Sequence, residues 1–213
     1  VSHIEIYAQD GSTLHDAQLL QGIRQLPQVR GVAPFVAAQA LLARGDVMRG
    51  VMVRGIDPSQ EAQVSDALAA HSLAANAVTQ ENDLAVSLPL LQPGSFHVIL
   101  GGDLARSLGV GVGDSVTLIV PSGQPTLAGI APRLRQFTVV GLFNSGHYEY
   151  DSSLALTSLQ DAQRLTRSMV GLRLKLADLQ QAPQVAAQLQ AELGSAFEVR
   201  DWTQQNRTWF AAV

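Results

Sequence analysis

Residues 121–137 read PSGQPTLAGIAPRLRQF, and they separate two runs, VTLIV at 116–120 and FTVVGLF at 137–143, with the character of buried β-strands. Hairpin connections usually take about 2–5 residues, and this one is far longer. It mixes apolar Leu127, Ala128, Ile130 and Leu134 with Pro121, Pro125 and Pro132, and it closes on Arg133 and Arg135. Exposing apolar side chains costs about 25 cal/mol per Å². A proline-stiffened apolar insertion between strands therefore fits a protruding arm that grips another protein. An ordered loop folded back on its own sheet accounts for the same residues equally well.

The flanking sequence is rich in short strands. Val98–Leu100 predicts a buried strand, Asp103–Leu108 a short helix stopped by Gly109, and Gly113-Asp114 a turn into the strand at 116–120. After 143, a polar stretch at 144–153 leads to a strand at 154–156, and Thr157 with Gln160 has the spacing of a helix cap. Such a run of short strands implies a small barrel-like or sandwich-like subdomain.

Both ends carry mixed helix and strand patterns. Ile4, Ile6 and Ala8 alternate as a strand, residues 14–26 predict a helix ended by Pro27, and 29–42 and 47–56 read as strands paired around Arg44-Gly45-Asp46. Asp57-Pro58 opens a further helix, and residues 74–92 lack a clear period. Near the C-terminus come a strand at 170–176, a helix at 182–193 closed by Gly194, and a strand at 197–200. The fold class expected is α+β. Residues 1–57 and 166–213 would form a split α+β layer built from both chain ends, and residues 58–165 an inserted mainly-β subdomain carrying the 121–137 arm.

With 213 residues and 46% hydrophobic content, the chain can bury a substantial core. Its net charge of −4 argues against nucleic acid, which calls for a basic face. There is no cysteine, hence no disulfide or thiolate metal site. The opening on Val1 directly into a strand reads as an excised piece; Trp209 and Phe210 near the other end suit a helix approaching a membrane interface or, equally, the ordinary packing of a terminal helix, and no run approaches the ~18–20 apolar residues a bilayer requires.

His147, Glu149, Asp151, Ser152 and Ser153 are the one cluster with catalytic or metal-binding character. No second histidine lies at ligand spacing and no G-x-S-x-G elbow surrounds either serine, so a polar turn is the simpler account and a hydrolase using His147 with Ser152 the alternative. The glycines at 101–113 lack the phosphate-loop spacing and its lysine, and Gly109-Val110-Gly111 follow a helix instead of opening one. No metal, nucleotide or other cofactor is expected.

Several motifs, in order, resemble a known family. They are Arg54-Gly55-Ile56-Asp57-Pro58, Val98–Gly101 running into LARSLGV at 104–110, GDSVTL at 113–118, AGIAPR at 128–133, FTVVGLF at 137–143, Asp151-Ser152-Ser153, and Arg200-Asp201-Trp202 with Asn206 and Phe210. Together they resemble the extracytoplasmic domain of the LolC/LolE family, membrane subunits of the bacterial lipoprotein-releasing ABC transporter, over essentially the whole chain. The resemblance implies a MacB-like periplasmic core on the periplasmic face of the inner membrane, with no catalysis of its own and ATP hydrolysis on a separate cytoplasmic subunit. The partners it implies are a second permease subunit, the lipoprotein cargo and the periplasmic chaperone LolA. It also implies that 121–137 is a chaperone-recruiting hook, with Pro121, Pro125, Leu127, Ala128, Ile130 and Pro132 as its apolar part and Arg133 and Arg135 as docking cations. Thr117 and Leu134 depart from the polar or basic residues of that pattern, so LolC-like, LolE-like and combined single-subunit forms all remain open. A MacB-type efflux domain is the alternative within the superfamily.

Overall fold

A computed structural model describes residues 3–10, 17–61, 63–64, 84–126 and 129–204. By internal contacts the chain divides into two units. One comprises Val1–Phe35, Gln60–Asp66 and Met169–Val213, and the other Val36–Ser59 and Ala67–Ser168.

The first unit is an antiparallel sheet backed by helices. Strand β1 (Ile4–Ala8) lies between β8 (Gly171–Leu176) and β9 (Phe197–Asp201), with Ile4 opposite both Leu174 and Asp201. The first half of β2 (Val29–Arg44) pairs along the other edge of β8, Val32 opposite Leu174. Alternation puts Ile4, Ile6 and Ala8 of β1 and Leu172, Leu174 and Leu176 of β8 on one buried face. Helix α7 (Ala182–Leu193) meets them with Ala182, Val185, Ala186 and Leu189, an i, i+3, i+4, i+7 stripe. Helix α1 (Ala17–Arg24) adds Ile23. Gly194, at φ 72°, ends α7 as the sequence anticipates. Residues 14–16 of the helix expected over 14–26, and the residues beyond 204, lie outside the described ones.

In the second unit six strands close on themselves. Strand β3 (Val47–Ile56) runs parallel to β7 (Leu154–Ser158), and β7 runs antiparallel to β4 (His97–Gly101). Strand β4 is parallel to β6 (Gly129–Phe143), which is antiparallel to β5 (Ser115–Thr126). Strand β5 pairs with the second half of β2, and β2 pairs with β3, which completes a barrel. Inward positions are small or aliphatic: Leu42, Val53, Leu100, Val116, Leu118, Val139 and Ala155 are all buried. On the outer face Ile99, Leu154 and Leu156 are covered by Leu84, Leu88 and Leu91, from helix α3 (Leu84–Ser87) and the turn after it. Burial on both faces explains why β4 and β7 read as unbroken apolar runs.

Three local expectations change. The cap of α6 (Leu159–Thr166) is Ser158, whose hydroxyl accepts from Asp161 N–H at 3.1 Å, not Thr157. Thr157 belongs to β7 and donates its hydroxyl to the His97 carbonyl at 2.7 Å. The polar stretch at 144–153 contains a short helix, α5 (Tyr148–Ser153). Asp57-Pro58 does open a helix, α2 (Pro58–Glu61), with Asp57 accepting from Ser59 N–H at 3.0 Å.

Candidate functional site

The stretch at 121–137 is not a loop between two short strands. Strands β5 and β6 run through it as one long hairpin, paired from Ser115–Thr138 to Thr126–Gly129. Leu127 and Ala128 lie between the paired ends and outside the described residues. The prolines misled the sequence reading because they block a regular ladder. The register moves from Val120↔Arg133 to Gln124↔Ala131, so three residues, 121–123, face the single Pro132. Pro121 and Pro132 thus sit in a bulge, where a missing N–H costs no ladder hydrogen bond.

Register also sorts the arm into two faces, since directly opposed residues in antiparallel strands project to the same side. One face carries the Leu118↔Arg135 and Val120↔Arg133 pairs. The other carries Ile119↔Leu134, then Pro132. The second is apolar there, and Leu134 is 63% exposed. The first is cationic where it leaves the barrel. Pro121 and Arg135 are exposed, and Arg133 is half-buried.

The two arginines are held differently. Arg133 donates to the Thr166 carbonyl at 3.4 Å, at the C-terminal end of α6, where a cation is favoured. Its Nε is buried without a hydrogen-bond partner. Arg135 lies with its guanidinium carbon 4.0 Å above the Phe96 ring. Phe96 is a residue the sequence reading passed over. Its ring meets Phe137 edge-on, centroids 5.5 Å apart, and its backbone has a positive φ of 50°. The buried Asp161 carboxylate accepts from Gly94 N–H at 2.8 Å and Phe96 N–H at 3.1 Å, fixing this turn to the first turn of α6. The only local sign was Pro93-Gly94, which marks a turn but not what its aromatic neighbour touches.

The His147–Ser153 cluster closes its own turn. Asp151 accepts from Ser145 N–H at 2.7 Å, Ser145 hydroxyl at 2.8 Å and Gly146 N–H at 3.1 Å. The Ser152 and Ser153 hydroxyls both donate back to the Glu149 carbonyl. These groups maintain the entry and body of α5, and no nucleophile–base pair is assembled among them.

A family model for the MacB-like periplasmic core domain matches residues 2–192. The lipoprotein-releasing system transmembrane protein LolC of Neisseria meningitidis serogroup B is 44% identical over 99% of this chain and 49% of its own length. LolC of Xylella fastidiosa strain Temecula1 is 36% identical over all of this chain and 49% of its own length. LolE of Haemophilus influenzae is 28% identical over 84% of this chain. The chain spans about half the length of the LolC relatives it matches. Among solved structures, the periplasmic region of MacB from Actinobacillus actinomycetemcomitans has a similar fold, with TM-score 0.51 at 11% identity over 98% of this chain and 92% of that one. The extracellular domain of the ABC-type transporter YknZ from Gram-positive bacteria has TM-score 0.53 at 12% identity over 93% and 99% of the two chains. Among the described residues no helix is long and apolar enough to cross a membrane.

Proposed function

From the premise that this chain belongs to the MacB-like periplasmic core domain family, we propose that it is the periplasmic domain of a LolC-type permease subunit of a lipoprotein-releasing ABC transporter in the bacterial inner membrane. In this role it catalyses nothing. A cytoplasmic ATPase subunit drives the cycle, a second permease subunit completes the complex, and this domain delivers released lipoprotein to the periplasmic chaperone LolA. The observation that carries the reading is the β5–β6 arm, which leaves the barrel with one apolar face and one cationic base.

The apolar residues of the arm, Pro121, Pro125, Leu127, Ala128, Ile130, Pro132 and Leu134, enter a hydrophobic cavity of the chaperone. The cationic base of the arm, which carries Arg133 and Arg135, faces acidic groups at the cavity's rim. Prolines narrow the free arm's ensemble, so less order is lost on binding. Apolar anchors of this kind commonly cost ~2 kcal/mol or more on truncation, whereas rim charges act on association rate and salt sensitivity. Pull-down and titration of the domain against LolA test the reading. Deleting 127–132 should abolish binding, Leu127→Ala and Ile130→Ala should weaken it at unchanged melting temperature, and Arg135→Glu should cost more at low salt than at high salt. Unchanged affinity after the deletion would reject it.

A further inference from the structure

We infer that Phe96 is the residue that presents Arg135 to the partner, and that Arg133, its neighbour on the same face, is a structural tie at the arm's base. This rests on reading the arm as a docking element and adds which of its cations does the docking. The two arginines are two residues apart on one face of β6, so the sequence treats them alike. Their surroundings differ. Arg133 is half-buried and bonds the last carbonyl of α6 with its Nε enclosed, so its guanidinium is held at the helix end. Arg135 is exposed and makes no such bond; its guanidinium is stacked 4.0 Å above Phe96, which leaves its hydrogen-bonding edge to solvent.

The ring beneath it is rigid for reasons on the page. Asp161, fully buried, clamps the backbone at Gly94 and Phe96, Thr138 N–H bonds the Phe96 carbonyl at 3.0 Å, and Phe137 supports the ring edge. A residue other than glycine at φ 50° is uncommon, and here these three contacts hold it in place. An arginine otherwise free in many rotamers is thereby limited to one direction before the partner arrives. The partner chemistry this fits is a single carboxylate met edge-on by a planar guanidinium. A lysine would supply the charge without the stack or the fork.

A double-mutant cycle on the full 213-residue chain, with purified LolA as probe, tests this. Phe96→Leu keeps bulk against Phe137 and removes the aromatic face; Arg135→Lys keeps the charge and removes the stack. Each should weaken binding roughly two- to tenfold, the range for releasing one immobilised side chain, and the double variant should lose no more than either single one. Phe96→Tyr should retain wild-type affinity. The Arg135 Nε–H proton resonance, shifted by the Phe96 ring current, should move to its ordinary position in Phe96→Leu and stay shifted in Phe96→Tyr. Additive losses, or equal losses in the leucine and tyrosine variants, would overturn the inference while the 127–132 deletion still abolishes binding. If that deletion has no effect, the docking reading itself has failed.

Discussion

Arg173 of β8 is 2% exposed and its guanidinium lies 2.7 Å from Glu61, itself 3% exposed. Glu61 Oε2 and Arg173 Nε have no hydrogen-bond partner, so the pair is enclosed but incompletely satisfied. Taking both charges from water offsets much of their attraction, yet removing one partner strands the other. Glu61→Gln should therefore cost about 3–5 kcal/mol in urea unfolding, and Glu61→Leu with Arg173→Met markedly less. Asp114 behaves differently because it is only half-buried and its carboxylate is met by a backbone donor. The Gly111 N–H at 2.9 Å, aided by Arg44, holds its carboxyl below the ordinary value near 3.8. A depressed carboxylate contributes fully above its unfolded value and loses the contribution as pH falls through its folded one. Protection of the Gly111 amide from hydrogen exchange should hold from neutral pH down to about 3.8 and fall only below it.

Among the elements, α5 depends on a close approach. A Cβ on Gly101, at the end of β4, would lie 2.2 Å from the Asp151 backbone carbonyl oxygen, which cannot rotate aside. Gly101→Ala should thus destabilise the chain by about 1–3 kcal/mol, measured by denaturant midpoint, even though alanine suits a strand as well as glycine does. The outer hairpin is held by its own ladder: Gln124, Pro125 and Thr126 are paired with Ala131, Ile130 and Gly129 across the arm. The amides of Gln124, Thr126, Ile130 and Ala131 should exchange faster than those of Leu118 and Val139 in the barrel, since a two-stranded ribbon alone is marginally stable. Equal protection would mean that the arm draws support from more than its own ladder.

At the scale of the whole molecule, each unit is assembled from distant segments. Strand β1 is hydrogen-bonded to β8 and β9, which follow it by more than 150 residues. A chain ending at Ser168 therefore leaves β1 and α1 without the face they pack on. Limited proteolysis should cut such a chain within its first 35 residues while the barrel strands resist, and the intact chain should resist in both places. Non-local closure of this kind also predicts folding in milliseconds to seconds, the range of contact-distant β topologies.

Much of this was carried by local pattern. The alternation of Ile4, Ile6 and Ala8, the stripe from Ala182 to Leu189, the stops at Gly109 and Gly194, and the apolar, proline-rich and basic content of 121–137 each follow from a few adjacent residues and a backbone period. Which strands become neighbours was decided only in three dimensions, because backbone donors and acceptors are the same in every strand and the partner is selected by the shape of the assembled core. So the sequence marked 121–137 as an arm but could not show that it is a bulged two-stranded ribbon with unlike faces. Asp151, read from sequence only as part of a polar turn, becomes a buried acceptor for Ser145 and Gly146, and Asp161 a buried acceptor for Gly94 and Phe96, a turn remote in sequence. Phe96 and Arg135 meet for the same reason: the contact depends on the register between β4 and β6, a long-range quantity with no local signature.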